Sequence, residues 1–329
     1  MKKITLLLIP FILIISQIKA QTIGRSDTLD IIHYGIHLNI TDFTNKSISG
    51  NTELTITPLL NSVNVINLDL LALNIDSILI DHSRNDNFTY NDTIIKIALL
   101  NAINIFDTIK VNVYYHGNPV KDPSDWGGFY FSGEYAFNLG VGFQDVPHNY
   151  GRVWFPCIDE FKDRAKYDCF ITTKSNHTAV CGGTLMEVTQ PTDSTKTFHW
   201  QLHQEIPTYL ASVAVGDYVK VEIPSTISGV PIQFYTSPSS ASQVIPSLAN
   251  IDTIAKIFIQ RFGPYLWDRI GYVGVSFSSG AMEHASNIAY PVFALTGNST
   301  YEDLYAHELS HHWFGNLITC EKAEEMWIN

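Results

Sequence analysis

Between Asp30 and about Val221 the chain is patterned for strands. Ile32, Tyr34, Ile36, Leu38 and Ile40 alternate with His33, Gly35, His37 and Asn39, a period of two. Short apolar runs of the same kind follow at Leu54–Ile56, Val63–Leu70, Ile94–Leu99, Ile109–Tyr115, Phe170–Thr173, Phe198–Leu202 and Tyr209–Val215. Asn/Asp/Ser/Gly clusters such as 41–50 and 81–87 punctuate them. Regular short strands with turn signals predict an antiparallel, β-sandwich-like domain. A further strand, Val230–Tyr235, follows Pro224-Ser225-Thr226, which places a boundary after residue 224.

Beyond that boundary the period changes. Val244, Leu248, Ile251, Ile254, Phe258 and Phe262 recur at three- and four-residue steps, predicting one amphipathic helix that stops near Gly263-Pro264. Tyr272–Phe277 reads as a strand. Ser299-Thr300-Tyr301-Glu302 has the form of a capping box, so a helix is expected from there to about Phe314, with Gly315 at its C-cap.

The first twenty residues read as an address. Lys2 and Lys3 precede a nearly unbroken apolar run, Ile4 to Ile15, too short to span a bilayer comfortably, and a more polar tail ends at Ala20. A cleaved secretory signal over 1–20 is expected, giving a periplasmic or secreted protein with no membrane span after cleavage. The chain has 329 residues, 45% hydrophobic and 16% charged, and its formal charge of −12 deters phosphate backbones, so nucleic acid is not an expected partner. Four cysteines are too few for a disulfide scaffold. Cys169 and Cys181 could face each other across a hairpin, but buried free thiols are the expected state.

Chemistry concentrates in the last expected helix, at His307-Glu308-Leu309-Ser310-His311. Histidines at i and i+4 share a helix face, so two imidazoles can reach one cation, and neutral imidazole suits zinc. Glu308 is placed to act as general base toward zinc-activated water and to pass the proton to a leaving amine. Five residues are weak evidence alone, since the same string occurs in amphipathic surface helices.

A second element, Gly280-Ala281-Met282-Glu283-His284, ends 23 residues before His307. Together the strings GAMEH and HELSHHWFGN resemble the aminopeptidase N family of zinc metallopeptidases, whose usual forms are GAMEN or GGMEN and HELAHQWFGN. Arg152-Val153-Trp154-Phe155-Pro156-Cys157-Ile158-Asp159-Glu160 and Tyr209-Leu210-Ala211 with Gly216 are similar to two further family segments, and the resemblance covers about residues 30–329. It implies an α+β chain: an N-terminal antiparallel β-sandwich-like domain over 21–224, then the first part of a thermolysin-like catalytic domain over 225–329. It also implies one zinc ion held by His307 and His311, Glu308 as general base, and peptide substrates with a free N-terminus. Glu283 would accept the substrate's α-ammonium, the backbone at Gly280, Ala281 and Met282 would run beside the peptide, and Gln144 would lie near the first substrate residue.

Two departures from the family pattern stand out. His284 replaces the commoner Asn. The family's third zinc ligand, a Glu, follows the second His after 18 residues, which from His311 gives position 330, past Asn329. Glu321, Glu324 and Glu325 come too early to match. The family's oxyanion-stabilising Tyr is expected farther on still. The expectation is therefore a zinc aminopeptidase sequence ending just short of its metal site, weakly active or inactive as it stands. Alternatives are a non-catalytic binding module and a thermolysin-like endopeptidase.

Overall fold

The computed structural model describes residues 24–328; the signal-like segment lies outside the described residues. The N-terminal part is built of three sheets. The largest has eight strands in the order Thr184–Thr192, Thr195–Ile206, Ala165–Lys174, Leu29–Asp42, Ser47–Pro58, Ile109–Gly117, Asn74–Ile80 and Ser83–Arg84. Its neighbours are antiparallel except at the centre, where Leu29–Asp42 runs parallel to Ala165–Lys174. The alternation read from the sequence holds from Tyr34 on: Tyr34, Ile36, Leu38 and Ile40 point into the core, with Ile171 and Trp200 from neighbouring strands, while His37 and Asn39 face water. At Ile32 it fails, because the register shifts between Ile31 and His33, so Ile31 is buried and Ile32 is exposed.

A four-stranded sheet (Thr178–Cys181, Val213–Gly216, Tyr135–Leu139, Gly128–Ser132) and a three-stranded one (Val63–Asp69, Ile94–Ile103, Phe88–Tyr90) share the large sheet's core. Cys169 and Cys181 therefore sit on strands of different sheets, not across a hairpin, and all four cysteines are buried and free. Tyr209–Val215 is not one strand: Thr208–Leu210 is a 3-10 turn, anchored by Thr208 Oγ1 donating to Asp159 Oδ1 at 2.5 Å, and the strand begins at Val213.

A second core forms around the sheet Val219–Ile223, Ile232–Thr236, Ile270–Val275 and Ile288–Pro291. The expected boundary after residue 224 falls within its first hairpin. The single expected helix is two, α1 (Ala241–Ser247) and α2 (Ile251–Phe262), with Pro246 inside α1. A turn over residues 248–250 separates them, so the apolar stripe continues across a break. The helix that carries HELSH, α3 (Glu302–Ser310), also differs. Asn298, not Ser299, caps it, accepting from Thr300 N at 3.0 Å, and after one 3-10 turn the α-helix runs Glu302–Ser310, stopping four residues before Phe314. Ser310 Oγ donates to the His307 carbonyl at 2.6 Å, diverting that acceptor at the helix end.

A nine-residue helix is marginal by itself. Packing holds α3 in place. Tyr305 and Leu309 are fully buried, each worth about 1.5–3 kcal/mol, and Tyr272 from the sheet donates to the Tyr305 carbonyl at 2.9 Å. No helix among the described residues is long and apolar enough to cross a membrane.

Candidate metal centre and substrate cleft

Burying Tyr305 and Leu309 turns the opposite face of α3 outward, and His307 and His311 stand on it. Their Nε2 atoms approach to 3.1 Å. A tetrahedral zinc with Zn–N bonds of about 2.0–2.1 Å would set two such nitrogens ~3.3 Å apart, so the pair fits that ion. His311 Nδ1 lies 3.1 Å from the Phe314 carbonyl. A carbonyl only accepts, so Nδ1 carries the proton and Nε2 presents its lone pair, the tautomer a metal ligand requires. Burial, then the neighbouring His311, lowers His307's pKa and favours its neutral form. Among the described residues no three His, Cys, Asp or Glu side chains converge as a metal cluster.

Glu308 is 5% exposed and Glu283 is 8% exposed. Burial and then the Glu283 carboxylate push Glu308 well above the ordinary carboxylate value, which places the two acids in one electrostatic neighbourhood. The strand-like segment leading to Glu283 is fixed by a two-way pairing of Met282 with Ala289, at 3.0 and 2.9 Å. Asn316 Nδ2 donates to the Glu283 carbonyl at 2.7 Å, and Asn316 N donates to the His311 carbonyl at 2.9 Å. One buried asparagine thus joins the turn after α3 to the acid's backbone.

The N-terminal part holds the other side of this loop. Gly183 N donates to Ser286 Oγ at 2.6 Å, Asn287 Nδ2 to Ser212 Oγ at 3.1 Å, and Ala285 N to the Leu210 carbonyl at 3.2 Å. Buried Arg269 gives its guanidinium to the Gly183 and Cys181 carbonyls and to Asn287. His284 is buried, held neutral by a pKa pushed down to about 3, with Nε2 at 3.4 Å from Asn138 Nδ2. It packs in the loop and does not face the cleft.

The Gln144 loop reaches the Ser279–Gly280 segment through aromatic contacts. Phe143 packs on Trp126, and Trp126 Nε1 donates to the Ser279 carbonyl at 3.1 Å, directly before Gly280. Gly280 has φ +138°, a region that disfavours any other residue, so the backbone there stays bare.

Sequence reasoning missed the group that shapes this loop, Asp122. Its carboxylate accepts from Gln144 N, Asp145 N (2.9 Å), Ser124 N (2.9 Å), the Ser124 hydroxyl and Tyr150 OH (3.0 Å). Burial alone would raise its pKa, but these donors hold the carboxyl well below the ordinary range. Asp122→Ala would leave several part-buried donors without their acceptor and is expected to cost about 1–2 kcal/mol. A folded pKa below the unfolded one gives stability that is full above the unfolded value and lost as pH falls through the folded one. The melting-temperature gap between parent and variant should therefore hold from neutral pH to about 4 and close in stronger acid. A gap that closes between neutral pH and mild acidity would contradict the ionised frame.

The chain matches the Peptidase M1 N-terminal domain over residues 31–210 and the Peptidase family M1 domain over residues 249–329. It is similar to human aminopeptidase B, 32% identical over 182 residues, covering 54% of this chain and 26% of that protein. Leucine aminopeptidase 2 of Vanderwaltozyma polyspora is 26% identical over 320 residues, 94% of this chain and 47% of the yeast protein. The M1 zinc metallopeptidase of Deinococcus radiodurans superposes with a TM-score of 0.79 at 21% identity, over 92% of this chain and 67% of that chain, a likeness of fold. The chain spans about a quarter of the length of the aminopeptidase B proteins it matches.

Proposed function

The chain belongs to peptidase family M1, and from that membership and the geometry of the cleft we propose that it serves zinc-dependent removal of N-terminal residues from peptides. The observation that carries this reading is the meeting of the His307 and His311 Nε2 atoms at 3.1 Å beside two buried acids, Glu308 and Glu283. His307 and His311 would hold the ion, which when bound supplies Lewis-acid activation of water and of the scissile carbonyl.

The remaining roles belong to the chain's own side chains. Glu308 takes the proton of the attacking water and returns it to the departing amine, so peptide and water become a free amino acid and a shortened peptide. Glu283 receives the α-ammonium of the substrate. A carboxylate at a closed end stabilises a positive terminus and leaves no room for residues before it. Gly280, Ala281 and Met282 offer backbone to the peptide, and Gln144 lies toward the first substrate residue. The basic and apolar stretch over residues 1–20 supports action outside the cytoplasm.

The metal site is tested by titration. One zinc per chain is expected. His307→Ala and His311→Ala should each weaken binding at least tenfold, by about 1.4 kcal/mol or more. Zinc held equally well by both variants would move the site elsewhere.

A further inference from the structure

Beside Gly280, rings from separate parts of the chain form a wall. Trp126 lies 3.7 Å from the point where a side chain at Gly280 would begin. Phe143 packs on it at 4.8 Å between ring centroids, and Phe277 meets it edge-on at 5.6 Å. Tyr130 backs Phe277 at 5.7 Å and is itself stacked on buried Phe137. The cluster is firmly mounted: the Asp122 carboxylate fixes the backbone immediately after Phe143, and the Trp126 indole is bonded to the Ser279 carbonyl. Yet Phe143 keeps 59% of its surface in water. A rigid apolar ring left open beside the Gly280 backbone is suited to covering a partner's apolar side chain.

We infer that Trp126, Phe143 and Phe277 form a subsite for a side chain downstream of the cleaved bond, at the second or third position of the peptide, and that the subsite favours aromatic residues. The inference rests on reading Glu283 as the ammonium anchor. Gly280 precedes Glu283 by three residues, a span of up to ~10 Å along the extended segment, which is about the length of three residues of an extended peptide running beside it. Its occupant is thus fixed by continuity with the anchor.

Calorimetric titration with chelator present, so that no bond is cut, separates the possibilities. Ala-Phe-Ala or Ala-Ala-Phe should bind the parent chain at least tenfold tighter than Ala-Ala-Ala. Phe143→Ser should bring the Phe peptides down toward the Ala-Ala-Ala level while Ala-Ala-Ala itself is little changed, and Trp126→Ala should abolish the Phe advantage as well. Phe143→Ser alters an exposed ring, so its fold is expected to survive, and a melting curve checks this. Phe peptides that bind no tighter than Ala-Ala-Ala, that show no binding at millimolar concentration, or that keep their advantage in both variants would overturn the subsite. N-acetyl-Ala-Phe-Ala tells the two readings apart. If it binds as well as the free peptide while the Phe preference persists, the Glu283 anchor fails and the aromatic subsite stands.

Discussion

Glu308→Gln is expected to lower the turnover of N-terminal peptide bonds by about 10²–10⁴-fold, the usual worth of a positioned general base. Gln has the same shape and still accepts a hydrogen bond, but it cannot take up a proton at any useful pH. The side chain that changes is buried, and its carboxylate form is disfavoured by burial and by Glu283. Removing that charge should therefore leave the melting temperature unchanged or raised. His307 and His311 are untouched, so zinc content should equal the parent's. The informative measurement is thus triple: turnover, bound metal and thermal stability on the same preparation. Activity near the parent level would show that Glu308 is not the base. Loss of activity together with loss of zinc would show that the side chain maintains the metal site instead.

What could be read from the sequence depended on how local the physics is. His307 and His311 are one helical turn apart, so their convergence is a property of the spacing and survives every detail of packing. The helix ends were less legible. The spacing of Val244 through Phe262 is helical throughout, but the turn over residues 248–250 divides it. The HELSH helix stops early because Ser310 bonds back to His307 and because His312 and Trp313 turn inward. Strands were legible where one face is wet. Tyr135–Leu139 is buried almost throughout and Thr184–Thr192 is exposed throughout, so neither alternates.

The side chains that build the cleft are a different matter. Trp126 and Ser279 are 153 residues apart, and Asn138 and His284 are 146 apart. Asp122 sits in Lys121-Asp122-Pro123-Ser124, which reads as any turn would. Its role emerges only when the 142–145 backbone folds onto it. Glu283 itself was legible through the resemblance of GAMEH and not through any periodicity. The three-dimensional contacts then supply a reason for its string: Asn316, Ser286 and Asn287 hold the loop from both halves of the chain.

Glu283→Ala is expected to lower kcat/KM for peptides with a free N-terminus by about 30- to 5,000-fold, since truncating one partner of a buried, hydrogen-bonded charge pair costs roughly 2–5 kcal/mol. The same substitution should collapse the preference for free over N-acetylated peptides, because that preference comes from the ammonium. The Glu283 carbonyl accepts from Asn316 and the neighbouring Met282 pairs with Ala289, so these backbone bonds survive the truncation, and a melting curve on the variant checks the fold. Glu283→Gln then separates charge from shape. If charge dominates, Gln behaves like Ala; if the side chain only fills the closed end of the cleft, Gln restores most of the activity. An endopeptidase built on the same His307–His311 pair would have no ammonium to receive. Its cleavage of internal bonds would be little changed by either substitution, and that result would remove the aminopeptidase reading while leaving the metal centre in place.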